Sequence, residues 1–182
     1  MAIQALSRTE LLALLRVARA HSEMHFLMIL VAFSHGLRAS EVCNLLVGDL
    51  RGGFLTVQRL KGSNRTTQPL VQHPDPLLNE KAALLKYTSN QSADQRVFDR
   101  SRYTFWRIMQ RHGRTAGLPA HKLHPHALKH SIAMQIISTA GIENTRQYLG
   151  HKSLSSTGFY LMKTDEEASV AVGRALRSRS RA

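Results

Sequence analysis

The chain has 182 residues, 43% of them hydrophobic, enough for one domain with an ordinary core and far from the disordered or fibrous classes. Its 25 lysines and arginines stand against 12 acidic residues, a net charge of +13 that a soluble core does not need and that implies a polyanionic partner. Cys43 is the single cysteine, which excludes an intrachain disulfide and a cysteine-based zinc site.

The N-terminus, MAIQALSRTE, lacks the basic-then-apolar plan of a signal peptide, and the apolar run from Phe26 to Phe33 is too short to span a bilayer. A cytoplasmic protein with no membrane partner is expected, associated with the nucleoid when bound to DNA. Ser7-Arg-Thr-Glu10 is a capping box, and the leucines at 11, 12, 14 and 15 predict a helix to Ala20. A second helix, Ser22 to His35, is apolar nearly all round and belongs in the core, with Gly36 as its left-handed C-cap. Arg38 then stands at a rigid corner before a short helix, Ala39 to Leu46, on whose apolar side Cys43 reads as a buried free thiol.

Phe54 to Leu60 and Thr66 to Val71 read as antiparallel strands joined by Lys61-Gly-Ser-Asn-Arg65, and Gly52-Gly53 closes a tighter hairpin before them. Pro74 and Pro76 are expected to start a helix reaching Thr88. After a polar loop, Ser101 to Thr115 predicts a helix carrying Arg102, Arg107, Arg111 and Arg114, as a solvated face or as phosphate contacts. Trp106 sits in that helix without the long apolar stripe of a membrane-surface helix, which ranks nucleic acid above a bilayer. Pro125 opens a helix bearing His126, Lys129 and His130 that ends at Gly141. Shorter helices are expected at Glu143 to Leu149, Ser153 to Leu161 and Asp165 to Leu176, before a basic tail. The fold class is mainly α with a small antiparallel β-sheet (α+β).

Arg38, Lys61, His126, Lys129, His151 and Tyr160 form a set suited to attack on a phosphodiester. Its transition state gathers negative charge on non-bridging oxygens, where each preorganised donor is worth about 3–4 kcal/mol. A phenol with a reference pKa near ~10 needs a proton acceptor or a cation beside it, and the leaving oxygen needs a proton donor. Two-metal nucleases need clustered carboxylates, whereas the acidic residues here are scattered. His126 and His130 have the spacing of a zinc-binding helix but no glutamate between them, so neither a metal site nor any cofactor is expected.

Gly36-Leu-Arg-Ala-Ser-Glu41, Leu60-Lys61-Gly, Pro125-His-Ala-Leu-Lys-His-Ser131, Leu149-Gly-His151 and Tyr160 together resemble, in order, the motifs of the tyrosine recombinases. The layout is most similar to the short fimbrial invertases. The resemblance spans about Leu6 to Met162 and implies the catalytic-domain fold of that family. It implies that Arg38 is the first clamp arginine and Glu41 its supporting acid. Lys61 would protonate the departing 5′-hydroxyl, His126 would assist the nucleophile, and His151 would donate to the phosphate. Tyr160 would form a 3′-phosphotyrosyl bond, so that rejoining needs no ATP. His130 reads as a buried supporting histidine, and Arg65, Arg102, Arg107, Arg146 and Lys152 as further DNA contacts.

The family's second clamp position is arginine, and here it is Lys129, a point charge that cannot grip two oxygens in a planar fork; Arg146 is a possible helper. Residues 1–182 are expected to be one catalytic domain, with a core at 6–162, a C-terminal helix and tail at 163–182, and no N-terminal DNA-gripping domain. The expected function is site-specific recombination of double-stranded DNA by integration, excision or inversion. The expected assembly is a homo-tetramer on DNA built from solution monomers, with DNA-bending proteins as possible helpers. Two alternatives stand beside it: a DNA-binding relative with crippled chemistry acting as an accessory, and a type IB topoisomerase.

Overall fold

A computed structural model of the chain describes residues 5–59 and 63–153. Helix α1 (Arg8–His21) begins as the capping box dictates: the Glu10 amide donates to Ser7 Oγ at 3.1 Å and the Ser7 amide donates to Glu10 Oε2 at 2.7 Å. Its buried face is Leu11, Leu14, Leu15 and Ala18. Helix α2 (Glu23–Ser34) is buried at every position from Phe26 to Ser34, as its unbroken apolar run requires. The other helices pack around it: α3 (Ala39–Cys43), α4 (Glu80–Thr88), α5 (Arg102–Thr115) and α6 (Pro125–Tyr148).

Gly36 ends α2 at φ 58°. A Cβ there would lie 2.4 Å from Leu149 Cδ2, so this glycine both turns the chain and lets Leu149 close over the turn. Helix α3 stops at Cys43, short of the expected Leu46, because Leu46 leaves to make an antiparallel bridge with Arg96. Cys43 is buried, which pushes its thiol pKa up.

Strands β1 (Leu50–Arg51), β2 (Phe54–Val57) and β3 (Thr66–Pro69) form one antiparallel sheet in the order β1-β2-β3. Leu55 faces Gln68 and Val57 faces Thr66, so these four side chains point inward together. Both longer strands are shorter than their sequence patterns, because the ladder runs only from the Phe54–Pro69 pair to the Val57–Thr66 pair: β2 stops at Val57 and β3 at Pro69.

Pro74 and Pro76 do not start a helix. Asp75 precedes a proline and is thereby disfavoured in helical conformation. A turn forms instead, with the Leu77 amide on Asp75 Oδ1 and the Asp75 amide on His73 Nδ1, both at 2.9 Å. Helix α4 waits for the Asn79 cap. Helix α6 does break at Gly141 (φ 79°, ψ 169°), giving segments 125–140 and 142–148. The helices expected after Ser153 lie outside the described residues, as do Lys61 and Tyr160. The architecture is mainly α with a small antiparallel sheet. Among the described residues no helix is long and apolar enough to cross a membrane.

Candidate active site

Arg38 occupies the N-cap of α3, where the chain leaves the Gly36 turn. Its amide donates to Glu41 Oε2 and its guanidinium Nη1 to Glu41 Oε1, both at 2.8 Å. The Arg38 side chain keeps about a third of its surface open, whereas Glu41 is fully covered. The carboxylate therefore works from behind and the guanidinium faces outward. Glu41 is held below the usual carboxylate range: burial opposes ionisation, but bonds from Arg38 and the charges of Arg59 and Lys129 outweigh it.

Lys129 comes from the first half of α6 and is 2% exposed. Its Nζ donates to Gly36 O at 3.0 Å and approaches Leu149 O at 3.5 Å. Burial first, and then the Arg59 and Arg38 charges, bring its pKa down to about 7, with only Glu41 acting in the other direction.

His151 arrives through the turn Leu149-Gly150-His151. Gly150 sits at φ 69°, and a Cβ there would lie 2.9 Å from Asn64 O. The Asn64 amide donates to Gly150 O at 3.0 Å, so the β2–β3 connection is stitched to the histidine turn. His151 is buried and its pKa falls to about 4, through burial and then the Lys129, Arg38 and Arg59 charges. His126 lies one helical turn from His130, their rings edge-to-face at 4.4 Å. His126 is exposed, yet the packing around its ring, and then the charges of His130, Lys129, His124 and Arg38, lower its pKa to about 4. Both imidazoles are thus neutral at pH 7. Arg38, Glu41, His126, Lys129, His130 and His151 are brought to one place, and Ser63, which accepts from Arg38 at 3.4 Å, joins them from the β2–β3 connection.

The phage integrase family model matches residues 4–167. The chain belongs to this family, the tyrosine recombinases. It is 37% identical over 159 residues to tyrosine recombinase XerA of Pyrococcus furiosus, covering 82% of this chain and 54% of that protein. It is 30% identical over 166 residues to the type 1 fimbriae regulatory protein FimB of Escherichia coli K12, covering 85% and 82%. A lambda integrase tetramer bound to a Holliday junction shares the fold, with a TM-score of 0.70 at 22% identity over 86% of this chain and 47% of that one. The chain spans little more than half the length of the XerA recombinase it matches.

Of the other residues expected as DNA contacts, Arg146 reaches the histidine turn and the rest are at the surface. Arg65, Arg102, Arg107 and Lys152 are all exposed. Arg102 and Arg107 share α5 with an exposed, stacked Tyr103–Trp106 pair. Arg146 is committed to Glu143 and to the carbonyls of His151 and Lys152, so it braces the histidine turn. Among the described residues no group of three histidine, cysteine or acidic side chains is placed to hold a metal ion.

Sequence reasoning missed Arg59, 3% exposed at the centre of the site. The signal was there: Leu55, Val57 and Arg59 alternate, so Arg59, although past the end of β2, continues the inward-facing set that the strand begins. It also missed a buried polar chain behind Arg59. His35 Nδ1 lies 2.8 Å from Gln68 Oε1 and His35 Nε2 lies 2.9 Å from Glu80 Oε1, while Gln68 Nε2 donates to Tyr148 O at 2.6 Å. The Tyr148 hydroxyl donates to Ser34 O at 2.7 Å and burial pushes its pKa up to about 12, which makes it a structural phenol.

Proposed function

We propose that the chain is the catalytic unit of a site-specific recombinase that cleaves and rejoins double-stranded DNA through a 3′-phosphotyrosyl bond at Tyr160. The observation that carries this reading is the convergence of Arg38, Lys129 and His151, from three separate parts of the chain, around Glu41, with the Arg38 guanidinium partly open and Lys129 and His151 buried beside it. Arg38 and Lys129 would bind the non-bridging oxygens as charge builds there, with a neutral His151 as an N–H donor. His126, neutral at pH 7, would accept the phenolic proton. The Tyr160 oxygen attacks phosphorus, the bond from phosphorus to the 5′ oxygen breaks, and Lys61 gives that oxygen its proton. The diester's bond energy is retained, and the released 5′-hydroxyl of another strand reverses the step.

The exposed arginines of α5, together with Arg65 and Lys152, would hold the DNA backbone, setting position rather than reading sequence. Assembly as a tetramer on two duplexes follows the lambda integrase relative, which is a tetramer on a Holliday junction. The test is a nicked suicide substrate carrying the recognition site. A covalent complex that survives denaturation and disappears in Tyr160→Phe is expected. A chain that shifts the DNA but forms no such complex at any pH or salt would instead be a binder with crippled chemistry.

A further inference from the structure

Arg59 belongs to none of the recombinase motifs, yet each of its guanidinium N–H groups has an acceptor. Nε donates to Thr66 Oγ1 at 3.0 Å, Nη1 to Gly36 O at 3.1 Å and Glu41 Oε2 at 3.3 Å, and Nη2 to His35 O at 2.9 Å and Tyr148 O at 3.2 Å. A buried guanidinium is tolerated only when its donors are satisfied this completely. Two of these acceptors lie at the C-terminal end of α2 and a third at the end of α6, where helix dipoles favour a cation.

The acceptors are also the supports of the proposed phosphate site. Glu41 takes a bond from Arg38 on its other oxygen, and Gly36 O takes one from Lys129. Tyr148 O begins the turn that delivers His151. We propose that Arg59 is a positioning residue for strand cleavage, a planar fork that locks the backbone corners carrying Arg38, Lys129 and His151 into one frame without touching DNA. This rests on the cleavage reading above. A lysine at this position has one nitrogen and cannot span five diverging acceptors.

The charge of Arg59 acts as well. The groups facing Lys129 are Arg38 from the N-cap of α3 and Glu41 within it, Arg59 from just past β2, His126 and His130 from its own helix, and His151 from the turn. After burial, the charge of Arg59 does most to weaken the hold of Lys129 on its proton. Removing it raises the pH at which the ammonium is lost; replacing it with lysine does not.

The experiment measures DNA binding and single-turnover covalent complex formation from pH 6 to 9, with folding checked by circular dichroism, for the wild-type chain, Arg59→Met and Arg59→Lys. Both variants are expected to bind DNA nearly as the wild type does. Both should form the complex about 100-fold more slowly, the usual cost of an ångström of misplacement. The alkaline fall in rate should move to higher pH in Arg59→Met and stay in place in Arg59→Lys. If Arg59→Met does not fold, Arg59→Lys alone decides by its rate. A folded variant cleaving at the wild-type rate overturns the inference. Loss of DNA binding in step with cleavage also overturns it. If the wild-type chain forms no complex, the cleavage reading itself fails and takes this inference with it.

Discussion

Replacing Lys129 with methionine keeps the length and most of the volume of a side chain that is 2% exposed. It removes an ammonium whose pKa lies at about 7, against an ordinary value of 10.5. Between those two values the unfolded wild-type chain holds a proton that the folded chain has released. Wild-type stability therefore rises with pH there, by about 1.4 kcal/mol per pH unit, and the variant lacks this contribution. Below pH 7 both states of the wild type are protonated, and the folded state bears the whole cost of the buried charge. Going from pH 6 to pH 9 should improve the wild type relative to Lys129→Met by about 2–3 kcal/mol. Methionine also leaves Leu149 O short of a donor, which costs about 1–3 kcal/mol at every pH, so the trend rather than the absolute sign carries the test. Urea unfolding of both proteins at pH 6, 7, 8 and 9 measures it. A difference that stays flat across this range, or grows in favour of methionine as pH rises, refutes the assignment of a buried, weakly held proton to Lys129.

Glu41→Ala strips Arg38 and the buried Arg59 of their shared carboxylate; a loss of about 3–5 kcal/mol in unfolding free energy is expected from urea titration. Gly150→Ala puts a methyl group 2.9 Å from Asn64 O at φ 69°. It should destabilise the chain by about 1–3 kcal/mol and slow covalent complex formation more than it weakens DNA binding, as read by gel shift beside a suicide substrate. Tyr148→Phe removes one bond to Ser34 O. It should cost about 1 kcal/mol in thermal unfolding while leaving the covalent complex intact.

The parts of this protein that were legible in its sequence are those fixed by local chemistry. The Ser7–Glu10 box, the Gly36 cap and the Gly141 break each act within one turn of chain, and each appears where its residues dictate. The Pro74-Asp75-Pro76 segment misled because proline is equally at home in the first turn of a helix and in a tight turn, and here the restriction on Asp75 decided. The cap of α6 was illegible because imidazole is an uncommon N-cap, yet His124 Nδ1 accepts the Ala127 amide at 3.2 Å. Arg59 and the His35–Glu80 pair were illegible for a different reason. A buried charge is tolerable only beside acceptors, and those of Arg59 come from α2, α3, β3 and α6, which meet only when the chain folds. The recombinase motifs name the groups that would face DNA. Of the cage that holds those groups they name Gly36 and Glu41, but not Arg59, which those two residues hold together with Thr66, His35 and Tyr148.

Mapping the covalent bond tests the central claim most directly. The chain is trapped on a nicked substrate and digested, and the peptide bearing the nucleotide is sequenced by mass spectrometry. A 3′-phosphate on Tyr160 is the expected result. A nucleotide on Tyr87, Tyr103 or Tyr148, or no covalent complex from a chain that binds the same DNA, would contradict the account.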